Sequence, residues 1–293
     1  MSNGESPVPV ERVGVVGGGI MGSGIAEVCA RAGLAVTLVE ANTPAAKRAE
    51  DRVAQSLERA VARGKLESGD AEEALSRLTY TDDLGALADR ELVLEAVVED
   101  KAAKLAVFAS LDDAVVSNDA IFASNTSSIP IVELATAREA RAGHVLGLHF
   151  FNPVPVLSLV EIIPSLLTDP GVTERARAFV TNQLGKDPIT APDRAGFTVN
   201  ALLVPYLLAA IRMFEQGLAS AEDIDKGMVK GCAHPMGPLA LSDLLGLDTV
   251  LNVAEILYTE HREQLFAPPP LLQRLVAAGL LGRKSGRGFY SYD

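Results

Sequence analysis

Between Arg12 and Glu40 the chain reads RVGVVGGGIMGSGIAEVCARAGLAVTLVE, with Gly17, Gly19 and Gly22 spaced G-x-G-x-x-G. The run before these glycines is short and apolar, the run after them has helical spacing, and LAVTLVE is β-branched and apolar, which together predict a strand, a tight turn, a helix and a second strand. A strand and its next neighbour joined through one helix lie parallel, so this stretch commits the chain to a parallel sheet. It also builds an anion site. The glycines let the backbone turn and approach a pyrophosphate seated on the unpaired N–H groups of the helix start, with Gly17, Gly18, Gly19, Ile20, Met21 and Gly22 forming the contact surface. Glu40 closes the second strand 18 residues after Gly22, where a carboxylate accepts from ribose hydroxyls and repels a 2′-phosphate. These residues predict a dinucleotide site with NAD favoured over NADP. FAD fits the same glycines, and Glu40 taken alone is equally a solvated charge at a strand end.

The rest of the chain extends this pattern and then leaves it. Thr43 to about Leu78 is rich in Ala, Glu, Arg and Leu and predicts one long helix and a shorter one. ELVLEAV, AIFASN and HVLGLHF predict three further buried strands, so a mostly parallel sheet covered on both faces is expected, with ligands beyond the carboxyl ends of its strands. After KDPITAPDRAGFTVN every segment is helical in period. The 293 residues are enough for two cores, and the reading is a Rossmann-type α/β domain over 1–193 and an all-helical domain over 194–293. Residues 1–10 are expected to form a short mobile arm with neither a basic nor an apolar leader, and no apolar run reaches the ~18–20 residues of a membrane span. A cytoplasmic protein without membrane association is expected. Cys29 and Cys232 are the two cysteines, and Cys29, among apolar helix residues, reads as a buried reduced thiol. No Cys/His cluster has metal-ligand spacing. The net charge of −12 disfavours nucleic acid, so an anionic ligand has to be met by locally placed donors.

Four residues at the expected ligand edge carry reactive chemistry. His149 ends an apolar strand, where an imidazole can exchange a proton near neutral pH, although a lone histidine there equally serves the fold. Glu161 shares a strand face with Leu157, Leu159 and Ile163, and a carboxylate so placed needs a partner; an imidazole would supply one, its tautomer fixed and its cation stabilised. Ser127, in FASNTSSIP, and Asn200, in GFTVN, are each compatible with a turn or a cap, and together with donors to a substrate oxygen. His144, His234 and His261 have no evident partner and are assigned to turns and surface.

Five motifs, ASNTSSIP, GLHFFNPVPVLSLVEII, GFTVNALLVPYLLAAIR, HPMGPLALSDLLGLDT and GRKSGRGFYSY, follow one another in an order that resembles the L-3-hydroxyacyl-CoA dehydrogenase family over residues 11–292. Within it the resemblance is greatest to the single-function bacterial 3-hydroxybutyryl-CoA dehydrogenases. It implies that His149 is the general base, that Glu161 orients it, and that Ser127 and Asn200 contact the reacting oxygen of an acyl-CoA substrate. It further implies that Glu99, Lys104, Asn152 and Lys284 lie near NAD, that Ser56 and Arg63 lie on the coenzyme A side, and that the helical domain forms a homodimer. Ser56 and Arg63, seven residues apart, would face the same way on one helix, although an exposed helix charge is the competing reading of Arg63. Two other functions fit the same fold: a dehydrogenase of a free hydroxy acid or sugar acid, and a non-catalytic NAD(H)-binding regulator.

Overall fold

The structure, a computed structural model, describes residues 8–292. These divide into two compact units, the first ending at Asp193 and the second beginning at Arg194. In the first unit the chain runs β1 (Arg12–Val16), α1 (Ile20–Arg31), β2 (Ala35–Val39), α2 (Thr43–Ala62), α3 (Ser68–Ser76), β3 (Leu78–Thr81), β4 (Leu92–Glu95), α4 (Lys101–Ala114), β5 (Ile121–Ser124), α5 (Ile131–Thr136), β6 (Val145–Phe150), β7 (Leu159–Pro164), α6 (Pro170–Ala178) and β8 (Asp187–Thr190). The strands form one sheet in the order β3-β2-β1-β4-β5-β6-β7-β8. All neighbours are parallel except β6 and β7. The order reverses between β1 and β4, and a crevice for ligand opens at such a reversal, beyond the carboxyl ends of the strands.

Local chemistry explains the helix starts. The side chain of Asn42 accepts from the Ala45 amide to open α2, and that of Asp100 accepts from Ala103 to open α4. The Asp193 carboxylate accepts from the amides of Ile131 (2.5 Å) and Val132 (2.9 Å) at the start of α5. The sheet core is aliphatic, with Val13, Val15, Leu38, Leu92, Leu94, Ile121 and Leu148 fully buried against Ile25 of α1 and Val53 and Leu57 of α2.

Two features depart from expectation. The arm assigned to residues 1–10 falls largely outside the described residues, but Val10 is fully buried and exchanges two hydrogen bonds with the side chain of Gln183, so its last residue is anchored. Strands β3 and β8 were not anticipated. Both are four-residue strands at opposite edges of the sheet, and β8 carries Pro188, which an edge tolerates because one side of the strand needs no donor.

The second unit comprises α7 (Val199–Glu215), α8 (Ala221–Gly231), α9 (Pro238–Leu245), α10 (Leu247–His261) and α11 (Pro270–Ala277), around Leu207, Leu208, Ile211, Leu239, Leu257 and Leu272. Two buried aspartates organise it. Asp225 accepts from the amides of Leu239 and Ala240 at the start of α9 and from the hydroxyl of Tyr290. Asp243 accepts from the amides of Phe289 and Tyr290 and from the hydroxyl of Tyr292, which fastens the terminal GFYSY segment to the bundle.

Candidate active site

The glycine loop follows β1 at the reversal of the sheet. Gly17 has φ +96°, and a Cβ there would lie 2.8 Å from the Ala96 carbonyl oxygen, so both its conformation and its surroundings demand glycine. At Gly22 a Cβ would lie 1.8 Å from the carbonyl oxygen of Gly17, which explains the third glycine by the packing of α1 on the loop. Gly19 differs from both: nothing lies within 4 Å of where its Cβ would stand. It is also the residue that opens α1, with no side-chain cap. Open space over unpaired helix-start amides is what a pyrophosphate needs. Glu40 stands beside the loop, its Oε1 accepting from the Gly18 amide at 2.7 Å. A cavity of about 580 Å³ is lined by Gly17, Gly19, Glu40, Ala41, Asp82 and Val98 among others. These residues fit a dinucleotide. The back of the loop is held by Arg52 of α2, whose Nη1 donates to the Gly18 carbonyl (2.5 Å), as does the Ser23 hydroxyl (2.8 Å). No local sequence signal points to Arg52, since its partner lies 34 residues away.

His149 and Glu161 meet because β6 and β7 are antiparallel and in register at these two residues. Residues directly opposite in such a pair project from the same face. His149 Nδ1 lies 2.7 Å from Glu161 Oε2, and Nε2 lies 3.2 Å from the Ser127 hydroxyl oxygen. Glu161 is fully buried and His149 is 5% exposed. A carboxylate without water holds the proton on Nδ1, which leaves the Nε2 lone pair directed towards Ser127. The ring of Phe151 packs 4.6 Å from the imidazole, and Asn125 Oδ1 accepts from the Phe150 amide, joining the ends of β5 and β6. One basic atom and one hydroxyl therefore converge on a single point, which suits proton removal from an alcohol.

Glu99 and Lys104 lie behind Ser127. Glu99 Oε1 accepts from the Thr126 hydroxyl (2.6 Å), the Ser127 amide (2.8 Å) and the Ser128 hydroxyl (2.8 Å). Burial works against ionisation of Glu99, but the Lys104 ammonium and these three donors outweigh it and hold the carboxyl below its ordinary value. Lys104 is 1% exposed, and its Nζ contacts Glu95 Oε1 at 2.7 Å and Glu99 Oε2 at 3.3 Å. The sequence reading missed Glu95, a fully buried carboxylate at the end of β4 within an apolar run.

The remaining residues are placed as follows. Asn152 precedes a cis peptide to Pro153 and, with Gly24, Arg52, Ser56 and Arg59, lines a second cavity of about 350 Å³. Arg63 is not on the helix body beside Ser56; α2 ends at Ala62, Arg63 is its C-cap, and Arg59, nearly one turn from Ser56, lines the cavity instead. In the second unit Asn200 is the second residue of α7, and Lys284 forms an ion pair with Asp248. The other three histidines do have partners: His144 contacts the Ala120 carbonyl, His234 the Tyr206 hydroxyl, and His261 the Arg194 guanidinium and the Phe266 ring. Turn and surface assignments overlooked these contacts because each partner lies 5 to 67 residues away.

Two family models match the chain: the NAD binding domain of 3-hydroxyacyl-CoA dehydrogenase over residues 12–194, and the C-terminal domain of 3-hydroxyacyl-CoA dehydrogenase over residues 196–292. A 3-hydroxybutyryl-CoA dehydrogenase of Mycobacterium tuberculosis is 55% identical over 283 residues, covering 97% of this chain and 99% of that protein. The crystal structure of M. tuberculosis FadB2 superposes with a TM-score of 0.96 at 55% identity, covering 98% of this chain and 100% of the other. That of (S)-3-hydroxybutyryl-CoA dehydrogenase PaaH1 from Ralstonia eutropha gives 0.91 at 44% identity, covering 97% and 99%.

Proposed function

Because the chain belongs to the 3-hydroxyacyl-CoA dehydrogenase family, we propose that it catalyses the reversible oxidation of (S)-3-hydroxybutyryl-CoA, or a similar short-chain 3-hydroxyacyl-CoA, to the 3-oxoacyl-CoA. The chain is an NAD-dependent oxidoreductase. The observation that carries the reaction type is the line Ser127–His149–Glu161, with its 3.2 and 2.7 Å contacts, while the acyl-CoA substrate is read from the family. NAD supplies the acceptor for the hydride that leaves C3 of the substrate. His149 Nε2 takes the proton of the 3-hydroxyl and, in reduction, returns it to the 3-oxo oxygen. Glu161 keeps Nδ1 protonated and stabilises the imidazolium while it exists. Ser127 orients the substrate oxygen towards Nε2, and Asn200 is assigned to the same oxygen.

Glu40 and residues 17–22 are assigned to the adenosine and pyrophosphate of NAD, and Glu99, Lys104, Asn152 and Lys284 to the remainder of that site. Ser56 and Arg63 are assigned to the coenzyme A side; Arg52 and Arg59 line the cavity beside Ser56, and Arg63 caps the end of the same helix. The helical unit over 194–293 is assigned to dimerisation. A reducing cytoplasm suits a chain with one buried and one exposed free thiol.

Steady-state reduction assays test this reading. With NADH, acetoacetyl-CoA should be reduced with a kcat/KM at least about a hundredfold above that of free acetoacetate, because binding of the remote coenzyme A moiety is used in the transition state. NADPH should fall behind NADH by a similar factor through the Glu40 carboxylate. Equal rates on acid and thioester would replace this reading with the free-acid dehydrogenase, and failure to turn over either would favour a binding regulator.

A further inference from the structure

We infer that Glu95 is a positioning residue for the proton-transfer site, acting through Lys104 and Ser124 on the loop that carries Ser127. The inference rests on the role proposed above for Ser127. Glu95 Oε1 accepts from Lys104 Nζ and from the Val97 amide, both at 2.7 Å, and Oε2 accepts from the Ser124 hydroxyl at 2.6 Å. Two routes then lead to the same loop. Through Lys104 the charge reaches Glu99, which binds the Thr126 hydroxyl, the Ser127 amide and the Ser128 hydroxyl. Through Ser124, whose oxygen accepts from the Thr126 amide at 3.2 Å, it reaches the loop directly. Glu95 therefore secures the loop at its origin on β5 and, one ammonium further on, at its turn.

Stability does not call for this arrangement. Two carboxylates share one ammonium, Glu95 is fully buried, and Lys104 is 1% exposed. Taking such charges out of water is costly, and well-packed apolar residues commonly serve stability as well or better. What the charges provide is direction. Hydrogen bonds to ionised groups are short and oriented, and here they end on the amide of Ser127, whose hydroxyl oxygen lies 3.2 Å from His149 Nε2. In a site of this kind an error of about 1 Å in position can lower the rate about a hundredfold.

The test is a double-mutant cycle with Glu95→Gln, Lys104→Met and the double variant, measuring kcat for acetoacetyl-CoA reduction at saturating NADH together with NADH affinity. Glu95→Gln should lower kcat, expressed per NADH-binding site titrated in the same preparation, about tenfold and change NADH affinity less than about threefold; counting binding sites removes loss of folded protein from the comparison. Because one of the two routes passes through Ser124 and not Lys104, the double variant should lose more kcat than Lys104→Met alone but clearly less than the product of the two single losses. Wild-type kcat in Glu95→Gln, or losses that multiply in the double variant, would overturn the inference. Should Glu95→Gln not fold, Ser124→Ala removes the donor to Oε2 without removing a charge; it should lower kcat per NADH-binding site severalfold with NADH affinity within about threefold of wild type, and unchanged kcat would count against the inference equally. His149→Gln serves as the control: if it too retains turnover, the reading of the site fails rather than the role of Glu95.

Discussion

Glu161 acts on the site through His149. Its Oε2 lies 2.7 Å from His149 Nδ1, with Glu161 fully buried and His149 5% exposed. Glu161→Gln keeps the shape but removes the charge that stabilises the imidazolium, while leaving Nε2 as the base. We expect kcat to fall about ten- to a hundredfold, less than on loss of the imidazole itself, with KM for acetoacetyl-CoA changed little. Stopped-flow and steady-state assays on the purified variant check this; an equal loss in both variants would assign Glu161 a larger part than orientation. The thiols offer a second residue-scale test. Cys29 is free and buried, and burial pushes its thiol from an ordinary 9.0 up to about 12. A thiol raised in the folded state contributes stability that is complete below its unfolded value and is lost as pH rises through the folded one, here between about 9 and 12. Titration with a thiol reagent at pH 8 should therefore find one reactive group, Cys232, in the native protein and two after denaturation. Two fast-reacting native thiols would contradict the burial of Cys29.

Among the elements, the β1–α1 turn shows how packing glycines and binding glycines differ. Gly17 and Gly22 are confined by backbone atoms, whereas Gly19 has a negative φ of −61° and nothing within 4 Å of a Cβ. Gly19→Ala should fold with a Tm within about 2 °C of wild type and bind NADH at least about tenfold more weakly, because the methyl occupies space reserved for the pyrophosphate. Thermal melts and fluorescence titration measure the two effects separately; undiminished NADH affinity would place the pyrophosphate elsewhere. The β6–β7 hairpin is the other decisive element. Its antiparallel register sets His149 opposite Glu161, and a slip of one residue would send the carboxylate to the other face of the sheet.

Over the whole molecule, the parts that were legible in the sequence are those written in local period. The βαβ start, the long helix after Thr43 and the all-helical second half each follow from spacing within a few turns. The partnership of His149 with Glu161 was accessible in part: a carboxylate within the apolar run LSLVEII needs a partner, but alternation does not choose its face, since Val160 and Ile162 are as buried as Glu161 and Leu157 is exposed. What escaped was long-range or marginal. Strands β3 and β8 have four residues each and lie at sheet edges, so neither carries a buried apolar run. Arg52 acts on a partner 34 residues away and Glu95 on Lys104 and Ser124, 9 and 29 residues away, and Glu95 sits in LVLEAVV, where the surrounding apolar residues conceal it. Charge is legible only as a sum: the net −12 hides an Arg52–Ser56–Arg59 surface lining one cavity. The central claim for the molecule is that this fold presents His149 Nε2 as the base of an alcohol–ketone interconversion. The most direct measurement is kcat for acetoacetyl-CoA reduction by His149→Gln, with NADH affinity determined on the same preparation. The account predicts a loss of about 10² to 10⁴ in kcat with NADH affinity nearly unchanged; turnover within a few fold of wild type in a variant that binds NADH normally would contradict it.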